Sequence, residues 1–128
     1  MSIKHIRFSQ TARDQLSRLK RHTGIENMNV IARWGLCVSL SEEMPPPEIR
    51  IPADSNLEMT WEVFGGKHGD TLLALVKQRC VNDGLNPDSE EVVYAQFRLH
   101  VHRGLAYLAG DRSIRNISDL VSKAVKSA

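Results

Sequence analysis

The stretch Val30-Ile-Ala-Arg-Trp-Gly-Leu-Cys-Val-Ser-Leu40 decides how the rest of the chain is read. It spans about three helical turns and is apolar on nearly every side, so as a helix it has to be covered all round. Asn27 or Asn29 supplies a cap at its start. A chain of 128 residues has little interior with which to surround one helix. Part of this surface is therefore expected to meet another subunit.

Toward the N-terminus, residues 3–8 are rich in β-branched and aromatic types and predict a short strand, with Ile6 and Phe8 on one face and His5 and Arg7 on the other. Ser9 then caps a helix from Gln10 to Thr23, with Ala12, Leu16 and Leu19 on one stripe and Gly24 just past its end. On that helix Arg13 and Lys20 are seven residues apart and nearly eclipsed, and Arg21 follows on the same flank.

Toward the C-terminus, Pro45-Pro-Pro47 and then Pro52 end the apolar helix and impose an extended path, a connector or an edge strand, along which Ile49 and Ile51 alternate with Glu48 and Arg50. Leu57, Met59, Trp61, Val63 and Phe64 should anchor this path to the core. Gly65-Gly-Lys-His-Gly69 reads as a mobile loop. Asp70 is the expected cap of a third helix, running to Asn82 and stopped by Gly84. The Asp88 to Glu91 spacing predicts a capping box that opens a fourth, reaching Ala109. That helix carries one apolar stripe at Val93, Phe97, Val101, Leu105 and Leu108, and another at Val92, Ala95, Leu99 and Ala106, which predicts a central position. A last helix over residues 117–126 places Ile117, Leu120, Val121, Ala124 and Val125 on one side.

The expected fold is mainly α: a compact helical bundle with a short N-terminal strand and a ribbon-helix-helix-like N-terminal region. It forms one domain over residues 1–128. Within it, 1–41 is a basic strand-helix-helix unit, 42–69 an extended acidic connector, and 70–128 helical. No internal repeat or low-complexity tract appears.

With 41% apolar and 25% charged residues, the chain has the composition of a folded globular protein. No apolar run approaches the length of a membrane span, and the first residues lack the features of a secretion signal. A soluble cytoplasmic protein is expected. Cys37 and Cys80 sit in helical stretches among apolar neighbours without CxxC spacing, which predicts buried free thiols rather than a disulfide. The net charge is only +2, but it is unevenly spread. Residues 1–41 carry seven basic against two acidic side chains, a net +5, while residues 42–64 carry one against six, a net −5. Either the N-terminal third faces a polyanion or the two segments neutralise each other in the fold or across subunits.

Catalytic and metal-binding patterns are missing. His100 and His102 on one helix point about 200° apart and cannot share an ion. The other histidines fall in unrelated segments. Gly65-Gly-Lys67 lacks the first glycine and the terminal Ser or Thr of a phosphate loop, with Trp61 and His68 in their places. No hydrolase, zinc-protease or kinase motif is present. The sequence thus predicts no metal, no cofactor and no catalytic residue.

The strand, basic helix and apolar helix follow the order of a ribbon-helix-helix protein, in which a ribbon shared by two chains enters a DNA groove. Three cations on one helix flank suit phosphate contact better than base readout. Arg13, Lys20 and Arg21 are accordingly the leading DNA-contact candidates, with Arg7, Arg18 and Lys4 in support.

Whole segments carry a family likeness. Ile6-Arg-Phe-Ser9, Leu16-Ser-Arg-Leu-Lys-Arg-His-Thr-Gly24, Asn29-Val-Ile-Ala-Arg-Trp-Gly-Leu-Cys37, Ile51-Pro-Ala-Asp-Ser-Asn56, Lys77-Gln-Arg-Cys80 and Leu99-His-Val-His-Arg-Gly-Leu-Ala-Tyr-Leu-Ala-Gly110 together resemble the DndE family of bacterial DNA sulfur modification proteins. The resemblance implies participation in replacing a non-bridging phosphate oxygen of DNA by sulfur, alongside a cysteine desulfurase, an iron-sulfur protein and an ATPase. It also implies DNA binding, including nicked duplex, and a homotetrameric helical assembly. It supplies no catalytic signature to carry over. The reading that results is a non-catalytic DNA-binding component of the phosphorothioation machinery. The alternative is a scaffold that docks partner proteins through the acidic segment 42–62 without holding DNA.

Overall fold

Ser9, in extended backbone, accepts a hydrogen bond from the Ala12 N–H at 3.0 Å and opens the first helix, α1 (Gln10–Thr23). Gly24 closes it in the left-handed conformation, its N–H returning to the Lys20 carbonyl. The computed structural model describes residues 4–127, so Ile3, expected to open the first strand, lies outside the described residues. The remaining elements are β1 (His5–Arg7), α2 (Met28–Ser41), β2 (Glu58–Thr60), α3 (Trp61–Gly65), a 3-10 turn (Gly66–His68), α4 (Gly69–Asn82), α5 (Glu90–Gly110) and α6 (Ile117–Ser127). The chain is mainly α with one two-stranded sheet among the described residues, as the sequence predicts.

The centre is the antiparallel passage of α2 and α5. A Cβ built on Gly104 would collide with the Gly35 carbonyl, so this contact requires glycine. One turn away, Ser39 Oγ lies 2.8 Å from His100 Nδ1 and accepts from Arg103 Nε at 2.8 Å. The Val93, Phe97, Val101, Leu105, Leu108 stripe is fully buried. The second expected stripe of α5 is covered only in part, because Ala95 and Ala106 remain exposed while His100 and Gly104 face α2 instead. Phe97 also meets Phe64 and Trp61, with ring centroids 5.0 and 5.3 Å apart in edge-to-face geometry, which docks α3 onto α5.

As the sequence reading expects, helix α2 is not covered all round within this chain: Ile31, Ala32, Gly35, Leu36 and Ser39 are buried, Trp34 and Val38 are half-buried, and Cys37 is exposed. Other expectations are corrected. Only Cys80 is the buried thiol that was expected. Strand β1 pairs antiparallel with β2 of its own chain, His5 opposite Thr60 and Arg7 opposite Glu58, so one of its two edges is filled from within the chain. Segment 42–69 runs without helix as far as residue 60, its last three residues forming β2. Thr60 then caps α3 by accepting from the Val63 N–H at 3.2 Å, and the glycine-rich stretch continues as helix into α4. Gly69 is a packing residue, since a Cβ there would stand 3.0 Å from the Trp61 indole nitrogen. Asp70 consequently lies inside the first turn of α4 and is not its cap. Ser89, rather than Asp88, caps α5. On α6 only Leu120 of the apolar side is buried; Ile117, Val121 and Val125 are exposed.

Arginines hold the connector through backbone carbonyls. Arg79 donates to the Leu40, Glu43 and Met44 carbonyls, and Arg103 to those of Ser39 and Met44. Arg98 reaches the carbonyls of Arg7, Ile51 and Pro52 at 3.0–3.3 Å. These charge-assisted bonds satisfy carbonyls that no ladder meets.

His102 joins α5 to the start of α1. Its Nδ1 lies 2.8 Å from the Arg98 carbonyl and its Nε2 accepts from the Ser9 N–H at 3.2 Å, which fixes the neutral ring with the proton on Nδ1. Burial above all, with the Arg98 guanidinium adding to it, pushes His102 down to about 4, and burial with Arg79 and Arg103 does the same to His100. The unfolded chain therefore takes up two protons near pH 6.5 that the native protein refuses until about pH 4. Stability is fully present above pH 6.5 and falls as the pH drops from 6.5 to 4. Thermal melts at pH 7 and pH 4.5 should show that loss, with a smaller drop in H102Q; an equal drop would place the acid sensitivity elsewhere. In the same assay G104A should destabilise by about 1–3 kcal/mol or more through overpacking, while G110A, with open space around its Cβ, should be neutral or gain up to about 1 kcal/mol.

Candidate nucleic-acid interface

Helix α1 turns Ala12, Leu16, Leu19 and Thr23 inward, which leaves its cations on the surface. Arg13, Arg18, Lys20 and Arg21 are all exposed, and among the described residues none forms an ion pair. Asp14, the acid on this helix, accepts from Gln10 Nε2 at 3.0 Å instead. At about 100° per residue, Arg13 and Lys20 stand about 20° apart on one flank. Arg21 lies on the outermost side next to them.

Arg18 is parted from this group. It falls about 160° round the helix from Lys20, on the opposite flank, where its guanidinium lies 3.5 Å from the Ala109 carbonyl at the end of α5. Arg7 is exposed on β1 but sits 3.5 Å from Glu58, its cross-strand neighbour, and that carboxylate also meets His5 at 3.1 Å. Its charge is therefore partly countered. Lys4 is exposed just before β1, and its carbonyl accepts the Trp61 N–H. The structure thus brings Arg13, Lys20 and Arg21 onto neighbouring sides of one helix and leaves Arg7, Arg18 and Lys4 elsewhere.

Sequence reasoning missed Arg112 and Arg115, which share a cleft with Arg18 and His22 in the turn after α5. The signal available was the helical-wheel position of Arg18, which already separates it from Lys20. The basic pair at 112 and 115 lies far along the chain, and only the packing of α5 on α1 joins it to that flank.

The acidic connector does not close over the α1 cations by ion pairing. Asp54 accepts from the Gln10 N–H at 2.8 Å, Glu42 from the Met44 N–H, and Glu58 pairs within the sheet. Among the described residues the carboxylates of Glu43, Glu48 and Glu62 meet no cation. Among the described residues the potential metal ligands do not gather. His102 is committed to Ser9 and Arg98, His100 holds Ser39 through Nδ1 alone while its buried Nε2 meets no hydrogen-bond partner among the described residues, and no group of three potential ligands converges there. Burial, with the Asp83 charge, pushes the Cys80 thiol up and away from its reactive thiolate form. Lys67 and His68 are exposed on the 3-10 turn, which has none of the backbone cradle of a phosphate loop. Among the described residues no helix is long and apolar enough to cross a membrane.

Among curated proteins none matches the chain. The crystal structure of DndE from Escherichia coli B7A, involved in DNA phosphorothioation modification, superposes with a TM-score of 0.70 at 24% identity, covering 84% of this chain and 98% of that one. A double glycine-to-lysine mutant of DndE gives a TM-score of 0.64 at 20% identity, with the same coverage. At these identities the likeness concerns the fold. The sequence profile of the family described as DNA sulphur modification protein DndE matches residues 5–116, which takes in every element from β1 to the end of α5. With that match across most of its length, the chain belongs to the DndE family of DNA sulphur modification proteins.

Proposed function

We propose that this chain is a non-catalytic, DNA-binding component of the phosphorothioation machinery, which holds duplex or nicked DNA by its backbone through the basic flank of α1 in a homo-oligomer. The observation that carries the reading is the set of exposed cations Arg13, Lys20 and Arg21 on one helix of a DndE-family chain, which form no ion pair among the described residues. Unpaired side chains on a rigid helix attract phosphates and carry little sequence information. Arg18, Arg7 and Lys4 are supporting contacts, Arg7 the weaker for its Glu58 neighbour. No cofactor or metal enters this reading.

The uncovered side of α2 supports the oligomer. Trp34 and Val38 are half-buried, and Leu75 and Tyr107 are exposed nearby on α4 and α5, around depressions that Cys37 lines. A second copy would cover this apolar surface, and a tetramer is the assembly we infer for the family member.

A second reading, in which the chain is a scaffold for other phosphorothioation proteins, is favoured by a different observation. The Glu43, Glu48 and Glu62 carboxylates face solvent and meet no cation among the described residues, while arginines hold the connector by its carbonyls. Such a surface suits a basic partner protein.

Fluorescence anisotropy with intact and nicked duplexes of unrelated sequence, over a salt series and with native mass in parallel, separates the two. The DNA-holding reading expects affinity that is insensitive to sequence and falls steeply with salt, with a log-log slope of about 0.9 per phosphate neutralised. The triple R13A/K20A/R21A substitution should flatten that slope by about three contacts. Unchanged affinity in the triple variant would sink the assignment of these residues. No duplex binding at low salt, with partner capture lost on charge reversal at Glu43, Glu48 and Glu62, would favour the scaffold.

A further inference from the structure

The end of α1, the end of α5 and the turn that follows enclose a cleft of about 610 Å³. Its walls bring Arg18 and His22 from α1 together with Arg112 and Arg115 from the turn, over a floor that includes the buried Leu108 and Ile114. Among the described residues the side chains of His22, Arg112 and Arg115 have no hydrogen-bond or ion-pair partner, and Arg18 makes only its long 3.5 Å approach to Ala109.

Two local features could have absorbed these charges. Helix C-termini attract cations, but the ends here are met largely by the backbone: the Gly24 N–H returns to Lys20 O and the Asp111 N–H to Leu108 O. Asp111 is the one acid in the lining, and it is already engaged. Its Oδ1 accepts from the Ser113 N–H at 3.0 Å and from the Ser113 hydroxyl at 2.6 Å, and its Oδ2 meets Lys123 Nζ at 3.0 Å. These bonds hold its carboxyl down at about 2, so it is an ion with its own partners. Three guanidiniums and an imidazole remain around a concave space.

We propose that this cleft is a second anion site, one that receives a phosphate oxyanion of a nucleic acid between Arg18, Arg112, Arg115 and His22. Guanidinium forks match phosphate oxygens geometrically, and the volume admits a phosphate with part of its sugar. Arg18 and His22 stand on the flank of α1 opposite Arg13 and Lys20. One chain therefore presents anion-binding surfaces on both sides of a single helix. The inference rests on the proposed DNA-holding role only for the source of the phosphate.

The test is an NMR titration of the full chain with inorganic phosphate, a nucleoside 5′-monophosphate and a dinucleotide with one internal diester, each against chloride at equal ionic strength. The arginine Nε–H signals of Arg18, Arg112 and Arg115 and the Ser113 amide are the reporters. The expected result is a saturable shift with the nucleoside monophosphate or the dinucleotide and not with chloride. Affinity should fall at least about tenfold in R112A/R115A, whose side chains are exposed, and stay unchanged in R13A/K20A. A tighter monophosphate assigns a strand end and a tighter dinucleotide assigns the internal backbone, and either supports the site. Saturation by inorganic phosphate alone overturns a nucleic-acid ligand. Shifts linear in ionic strength, or equal affinity in R112A/R115A, overturn the site itself. Absent duplex binding with these shifts intact would count against the DNA-holding role alone; duplex binding without them would count against the cleft alone.

Discussion

The rest of the structure depends on the contact of the Gly35 and Gly104 backbones. With no Cβ on Gly104, α5 comes down onto the Gly35 carbonyl, and the distance between the two helices is set at that point. The polar groups one turn along follow from it. Ser39 and His100 come within hydrogen-bonding distance, and Arg103 lies near enough to reach both Ser39 and the end of α2. Interiors packed to crystal density leave no slack with which a larger residue could be absorbed. The two glycines therefore act on elements that neither touches, including the connector that Arg79 and Arg103 hold from the same end.

Around that axis the protein separates structural cations from free ones. Arg33, Arg79, Arg98 and Arg103 are half-buried on the inner helices, and each donates to main-chain carbonyls. Arg13, Lys20, Arg21, Arg112 and Arg115 are exposed, and among the described residues none is engaged in an ion pair. Net charge conceals this division, since both sets count equally toward it. Only the second set is open to a partner in solution.

Much of the fold was legible because its signals are local. Ser9 and Gly24 bracket α1, and the stripe from Val93 to Leu108 marks the buried face of α5, because caps and periodicity act within a few residues. What could not be read depends on which surfaces meet. The apolar composition of α2 does not say that Cys37 faces out while Gly35 faces in. The glycines of residues 65–69 resembled a loop, yet Gly69 is small because the Trp61 indole lies over it. The apolar side of α6 fits amphipathic spacing, but only Leu120 reaches the core. At the candidate interface the cations of α1 were identifiable from sequence, and the helical wheel alone divides Arg18 from Lys20. Joining Arg18 to Arg112 and Arg115 needed the packing of α5 against α1, a contact between residues some ninety positions apart.

The arginine clamps on the connector have a consequence for handling the protein. They join a charge to carbonyl dipoles over hydrogen-bonding distance and lie partly out of water, so mobile ions screen them far less than they screen exposed charges facing a polyanion. Ionic strength then acts differently on the two sets of cations. High salt would therefore weaken any contact made through the exposed cations while the straps over residues 42–57 stay fastened, and the protein would keep its native shape.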